Sequence, residues 1–282
     1  MTDPLVSTSW LADHLSDTQV RIFDCRYDFD APARARHDYE QSHIPGALYL
    51  DWTHDISEPR DGLQYMAPSA AALEASMRRL GVANDTVIVG YDEEGGHQVS
   101  RLWLILRHFG NDNVRLLEGG WTKWQLEQRP VYSGNEPAPP PGSFCTGAEQ
   151  PGVLASADDV LRLRDWPGAV LLDVRRMTEF TGEEARSKHG GHIPWAQWML
   201  WTDNLNWSGD RSFRPSAEIA ARFADAGVTP DKDVIVYCHG GVRAAHTALV
   251  LSRLGYEHVR VYDGSWEEWG GRDDLPIARG AP

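Results

Sequence analysis

The chain has 282 residues, 41% of them hydrophobic and 24% charged, and 27 Lys+Arg against 41 Asp+Glu give a formal net charge of −14. This length supports one large domain or two modest ones around real cores, and the composition excludes wholesale disorder. So acidic a chain repels a phosphate backbone and an anionic membrane surface, which excludes nucleic acid and membrane as partners and leaves any anionic substrate to be caught by local positive groups.

The opening MTDPLVSTSW lacks the basic and apolar regions of a secretory signal, and no apolar run approaches the ~20 residues of a membrane span. In chain order, β-rich apolar runs predict strands over 21–25, 86–90 and 114–117, and amphipathic spacing predicts helices over 69–80 and 100–109. Residues 132–152 follow, with Pro137, Pro139, Pro140, Pro141 and Pro151, which bar a helix or central strand and predict an extended linker. Beyond it come strands over 169–174, 234–237 and 259–262 and helices over 216–226 and 244–254. Strands apolar on both faces, alternating with helices, predict an α/β fold with a parallel sheet covered by helices on both faces.

The two stretches repeat one another. His43-Ile44-Pro45 recurs 149 residues on as His192-Ile193-Pro194, and Asp24-Cys25-Arg26 recurs as Asp173-Val174-Arg175 at the same offset. Pro68-Ser69-Ala70 matches Pro215-Ser216-Ala217, and Gly81-Val82 matches Gly227-Val228. Glu118-Gly119-Gly120-Trp121 matches Asp263-Gly264-Ser265-Trp266, 145 residues on. A drift of a few residues across the whole length indicates a duplicated unit with small loop changes. The expected division is 1–130, a proline-rich linker at 131–152, and 153–282, with the halves meeting near residue 145. The pairs Trp121/Trp124 and Trp266/Trp269, at i, i+3, read as core fillers.

Chemistry concentrates after the strand at 234–237, in Cys238-His239-Gly240-Gly241-Val242-Arg243. Ligands of open parallel sheets bind beyond the carboxyl ends of the strands. A short glycine-containing turn there aims backbone N–H groups inward, and a following helix N-terminus adds to their field. That environment favours a thiolate at Cys238, and Arg243 adds a fixed charge. A lone cysteine more often packs inertly at a strand end; the surrounding glycines, arginine and helix favour the reactive reading here. His239 and His246 carry weaker signals, as a loop residue and as a helix residue that either lines a pocket or packs. The first half is an internal control. Asp92 aligns with Cys238, and Glu93 and Glu94 follow it, so that loop would repel an anion and the first half should be catalytically silent. Cys25 reads as structural and Cys145 as incidental. An odd, sparse set of three cysteines without C-x-x-C spacing predicts free thiols in a reducing cytoplasm.

With these features in hand, the sequence resembles the two-domain rhodanese-type sulfurtransferases over nearly its whole length. The marks are the tandem repeat, a His-Ile-Pro in each half, the aspartate at the first loop, the Cys-x-x-Gly-Val loop, and Asp263-Gly264-Ser265-Trp266-x-Glu268-Trp269. The resemblance implies tandem rhodanese-like domains, the first inactive, and a Cys238 persulfide formed from a small sulfur donor and discharged to a thiophile such as cyanide. No cofactor or metal is expected. Phosphatases and arsenate reductases of similar layout use Cys-x5-Arg, and the Cys-x4-Arg loop here disfavours them. A binding module would need a lost nucleophile, and Cys238 is present.

The resemblance ranks thiosulfate first as donor, with 3-mercaptopyruvate as the alternative and a protein persulfide as a further partner. Arg243 resembles the loop ending of thiosulfate-using relatives, and Gly240 stands where mercaptopyruvate-using relatives carry serine. Many relatives carry a substrate-binding arginine where this chain has Glu179, so Arg186 and Lys188 become candidates to supply charge. Arg175 is expected to pair with Asp173 or the His-Ile-Pro turn. The expected binding set is His239, Gly240, Gly241, Val242, Arg243 and Arg186 around Cys238.

Overall fold

The strand following residue 86 reads VIVGY and its repeat DVIVY, each with four of five residues buried. Strands covered on both faces in this way belong at the centre of parallel sheets. The computed structural model describes residues 3–281. Its strands are β1 Leu5–Val6, β2 Val20–Asp24, β3 Ala47–Tyr49, β4 Glu58–Arg60, β5 Leu63–Met66, β6 Val87–Tyr91, β7 Val114–Leu117, β8 Leu154–Ala155, β9 Ala169–Asp173, β10 Ala196–Trp198, β11 Asp233–Tyr237 and β12 Val259–Tyr262. Its α-helices are α1 Thr8–Asp13, α2 Pro32–Gln41, α3 Trp52–Asp55, α4 Ala70–Arg79, α5 His97–His108, α6 Gly120–Leu126, α7 Ala157–Leu163, α8 Met177–Thr181, α9 Ser216–Asp225, α10 Val242–Arg253 and α11 Ser265–Trp269.

One five-stranded sheet has the order β1-β7-β6-β2-β3, and the other reads β8-β12-β11-β9-β10 from its opposite edge. Under the repeat these are the same order, and every pairing within them is parallel. β4 and β5 form a separate two-stranded sheet joined by Asp61-Gly62, both at positive φ, the backbone a tight hairpin turn requires. Two compact units result, and their borders are not those of the sequence halves. The first runs to Glu58 and adds Pro68–Glu149 and Leu205–Phe213; the second combines Pro59–Ala67, Gln150–Asn204 and Arg214 onward. The β4–β5 turn, encoded in the first repeat, is thus built into the second unit.

The repeat also orders the cores. Ile22, Ile44, Val89, Tyr91, Trp121 and Trp124 pack in the first unit. Their counterparts Leu171, Ile193, Ile235, Tyr237, Trp266 and Trp269 pack in the second. Each indole of this size removes ~150–250 Å² from water, an upper bound of roughly 4–6 kcal/mol. The polar ends are satisfied: Trp124 Nε1 donates to Pro130 O (2.8 Å) and Trp269 Nε1 to Pro276 O (2.9 Å).

The His-Ile-Pro turns are structural. His43 Nδ1 pairs with Tyr39 O (2.7 Å) and His192 Nδ1 with Phe180 O (2.8 Å), each ring stacked on the same aromatic residue. The next amides, Ile44 and Ile193, donate to Tyr91 Oη and Tyr237 Oη, both at 3.2 Å. Arg175 grips Asp173 through Nε and Nη2 and donates to Gly191 O (2.8 Å); Arg26 does the same with Asp24 and Ser42 O. These forks fix the strand end to the turn.

The proline-rich segment is extended, as its composition requires, but it does not hang between units as a tether. Gly142 N–H donates to Arg78 O, Phe144 N–H to Val82 O and Gly147 N–H to Phe109 O, and Phe144 is fully buried. Prolines remove donors, and the remaining amides are spent on this docking. The chain to Glu149 therefore belongs to the first unit. Helices α5 and α10 begin earlier than the spacing predicts, at His97 and Val242. In both, a left-handed glycine cap, Gly96 (φ +95°) and Gly241 (φ +79°), turns the chain directly into the helix.

Candidate active site

Cys238 follows Tyr237 at the carboxyl end of β11 and is 1% exposed. Four hydrogen bonds orient its loop, three made by the loop itself and one that fixes Ser265. Cys238 N–H donates to Ser265 Oγ (3.2 Å), and Ser265 Oγ–H donates to Tyr262 O (2.7 Å). Trp266 N–H reaches Cys238 O (3.0 Å) and Glu267 N–H reaches His239 O (2.8 Å). With those two carbonyls drawn toward α11, the peptide N–H groups that follow face the other way. Ser265 makes this possible from a left-handed backbone, φ +49°, unusual for a residue with a Cβ.

The first unit displays what such a loop holds. Asp92, at the carboxyl end of β6, accepts N–H bonds from Glu94 (2.9 Å), Gly96 (2.8 Å), Gln98 (2.9 Å) and Val99 (3.2 Å). Aligned on their cap glycines, Gly96, Gln98 and Val99 correspond to Gly241, Arg243 and Ala244. The amides at the cap and in the first turn of a helix have no intrahelical acceptor. In the second unit the loop from Cys238 to its cap glycine Gly241 is one residue shorter, with a thiol in place of the carboxylate.

Arg243 sits in the first turn of α10. Both ends of its fork go to Glu179: Nη1 to Oε2 at 2.6 Å and Nη2 to Oε1 at 2.9 Å. This differs from the free loop cation expected from the sequence, because α8 delivers an almost wholly buried carboxylate to it. Burial opposes ionisation of Glu179, but the bonds and charge of Arg243, with Arg175 and Arg176, hold its carboxyl well below the ordinary range. Burial works against the Arg243 charge too, and Glu179 together with Cys238 more than offsets it, raising the guanidinium pKa. Cys238 and Arg243 therefore share one electrostatic environment.

Arg186 lies 4.0 Å from Glu179 Oε1 and is partly exposed. Burial and then the charges of Arg186 and Arg243 push His239 down to about 4, so its imidazole is neutral at pH 7. Lys188 is outside the group: its ammonium pairs with Asp273 on an exposed loop. His246 is buried in α10 against the Trp201 ring. Cys25 is buried, and burial followed by the charges of Asp92, Asp24 and Asp55 raises its thiol pKa well above the usual value. Cys145 is exposed, and all three cysteines are free thiols.

Sequence reasoning missed two parts of the site. One is Ser265, whose left-handed backbone matches that of its counterpart Gly120 (φ +52°), where a Cβ would meet Asp92 O at 2.1 Å. The other is the β4–β5 turn. Gln64 N–H donates to Glu267 Oε1 (3.2 Å) and Ala67 N–H to Asp263 Oδ2 (2.7 Å). This lays Tyr65 beside the loop, where a Cβ on Gly240 would come within 3.1 Å of its ring. No local pattern announces a contact across ~200 residues.

A family model described as the rhodanese-like domain matches residues 7–127 and again 156–272. The chain belongs to the rhodanese family. It is a two-domain sulfurtransferase of that family, moving sulfane sulfur through a cysteine persulfide. It is 35% identical to the sulfur carrier protein TtuD of Thermus thermophilus, over 98% of this chain and 96% of that one. It is 33% identical to the 3-mercaptopyruvate sulfurtransferase of Escherichia coli K12, over 96% of each chain. The crystal structure of SseA from Escherichia coli, described in terms of the rhodanese fold and the mechanism of 3-mercaptopyruvate sulfotransferases, superposes with a TM-score of 0.83 at 32% identity. That match covers 94% of this chain and 99% of SseA. No helix among the described residues is long and apolar enough to cross a membrane.

Proposed function

We propose that Cys238 is the sulfur-carrying residue, that the first unit is catalytically silent, and that the donor is 3-mercaptopyruvate. The observation that carries the first two is the pair of equivalent loops, one already filled by the Asp92 carboxylate and the other opening on a thiol. The donor rests on the relatives named for 3-mercaptopyruvate. Thiosulfate stands first in the sequence reading partly because of Arg243. That support weakens once both fork nitrogens of Arg243 are engaged by Glu179.

The Cys238 thiolate attacks the donor sulfur. A new S–S bond forms, the C–S bond breaks, and its electron pair leaves as pyruvate enolate, which takes up the thiol proton to become pyruvate. The cradle amides of Gly241, Arg243 and Ala244 stabilise charge on the persulfide. An acceptor thiolate, or cyanide, then attacks the outer sulfur, and the S–S pair returns to Cys238 Sγ. Small-molecule acceptors and a protein thiol both fit this step, and the reduced state of the three cysteines suits a reducing cytoplasm.

Intact-mass measurement before and after 3-mercaptopyruvate, then after cyanide, tests the proposal. One added sulfur on the Cys238 peptide, lost to cyanide, is the expected result. Loading by thiosulfate alone would overturn the donor, and sulfur on another residue would overturn the site.

A further inference from the structure

Glu179 is 1% exposed and Arg243 12%, and the two meet end to end through two short charge-assisted bonds. Such a fork fixes the guanidinium in position and direction. The other charged groups around the loop do not restore the cation. Arg175 is committed to Asp173 and Gly191, and Arg176 to Glu184 (2.6 Å) and Glu179 (3.2 Å). His239 is neutral at pH 7, and Glu267 adds a carboxyl near Gly240. Arg186, partly exposed, is the remaining positive group at the rim. The loop thus offers backbone N–H groups beside an Arg243 whose fork is already paired, with Arg186 the further positive group at the rim. A singly charged sulfur species is held by such N–H groups, whereas a dianion brings a second charge with nothing buried to meet it.

We propose that Glu179 is a specificity-determining residue: by holding and neutralising Arg243, it makes the Cys238 cradle select singly charged sulfur donors over dianionic ones such as thiosulfate. This rests on Cys238 being the sulfur-carrying residue, and it deepens that reading by naming the charge class of its substrates.

The test is the ratio of kcat/KM for thiosulfate to kcat/KM for 3-mercaptopyruvate. Glu179→Gln keeps the size and removes the charge, and it should raise this ratio by about tenfold or more, because the exposed Arg243 charge favours the dianion. Arg243→Gln should lower the ratio, and the double variant should return it close to the starting value. A purely structural role for Glu179 would depress both donors alike, so an unchanged ratio in folded Glu179→Gln protein would overturn the proposal. A readout without turnover separates it from the donor assignment. Protection of Cys238 from iodoacetamide by sulfate, relative to pyruvate, should rise in Glu179→Gln even where neither donor transfers sulfur. Equal protection ratios in the two proteins would also refute it.

Discussion

Asp92 and Cys238 occupy the same place in the two repeats: each follows a buried tyrosine at a central strand end, and each offers its carbonyl to a tryptophan amide, Trp121 at 2.7 Å and Trp266 at 3.0 Å. One residue fills its cradle with its own carboxylate, and the other has a thiol in that position. The two loops therefore call for opposite responses to mutation.

Replacing Cys238 with serine should abolish persulfide formation and sulfur transfer while leaving the thermal midpoint within a few degrees, since the hydroxyl is close to the thiol in size. Mass spectrometry and thermal unfolding read the two halves of this prediction. Transfer surviving in Cys238→Ser would remove Cys238 from the mechanism.

Replacing Asp92 with alanine should do the reverse. Four backbone donors in the first unit would lose their acceptor, at a cost of about 2–4 kcal/mol in stability. Activity per folded molecule should stay near that of the parent. Urea unfolding beside an assay of the folded fraction checks both.

Ser265 combines a left-handed backbone with two hydrogen bonds. Ser265→Ala keeps the strain and loses both bonds, and should destabilise by about 1–2 kcal/mol and slow sulfur loading. Ser265→Gly relieves the strain and should recover roughly half of that stability. Stability in Ser265→Gly no better than in Ser265→Ala would show that φ at this position carries no penalty.

His239 binds its proton less tightly in the folded chain, at about 4 against an ordinary value near 6.5. Between these values the unfolded chain holds more protons, so stability from this residue is present at pH 7 and lost as pH falls. From pH 7 to pH 5 it should account for about 1–2 kcal/mol. Denaturant titrations at the two pH values, repeated on His239→Asn, should show a smaller loss in the variant. Glu179, held low by Arg243, adds a further loss below the ordinary carboxylate range.

What could be read in advance follows from range. The duplicated fold was legible because strand patterns and the His-Ile-Pro turns are local and occur twice. The strand-to-helix turn that begins at Cys238 was legible because its glycines and flanking strand lie within a few residues of one another. The fate of Arg243 was not, because its partner lies 64 residues away on a short helix, and charge in a sequence says nothing about whether a fork is already filled. The proline-rich stretch misled in a related way. Its composition fixes extension, while docking depends on which carbonyls of the first unit are left to receive its amides.

The β4–β5 turn has a consequence for how the protein comes into being. Its anchors on Glu267 and Asp263 lie 203 and 196 residues further along the chain. During synthesis this turn leaves the ribosome early and waits, and the residues that clasp it beside Cys238 are among the last to be made. The amides of Trp266 and Glu267 that orient the loop arrive equally late. The loop is therefore completed only as the final helix folds, and a chain cut short before residue 263 would carry Cys238 without the hydrogen bonds to Ser265, Trp266 and Glu267 that orient it.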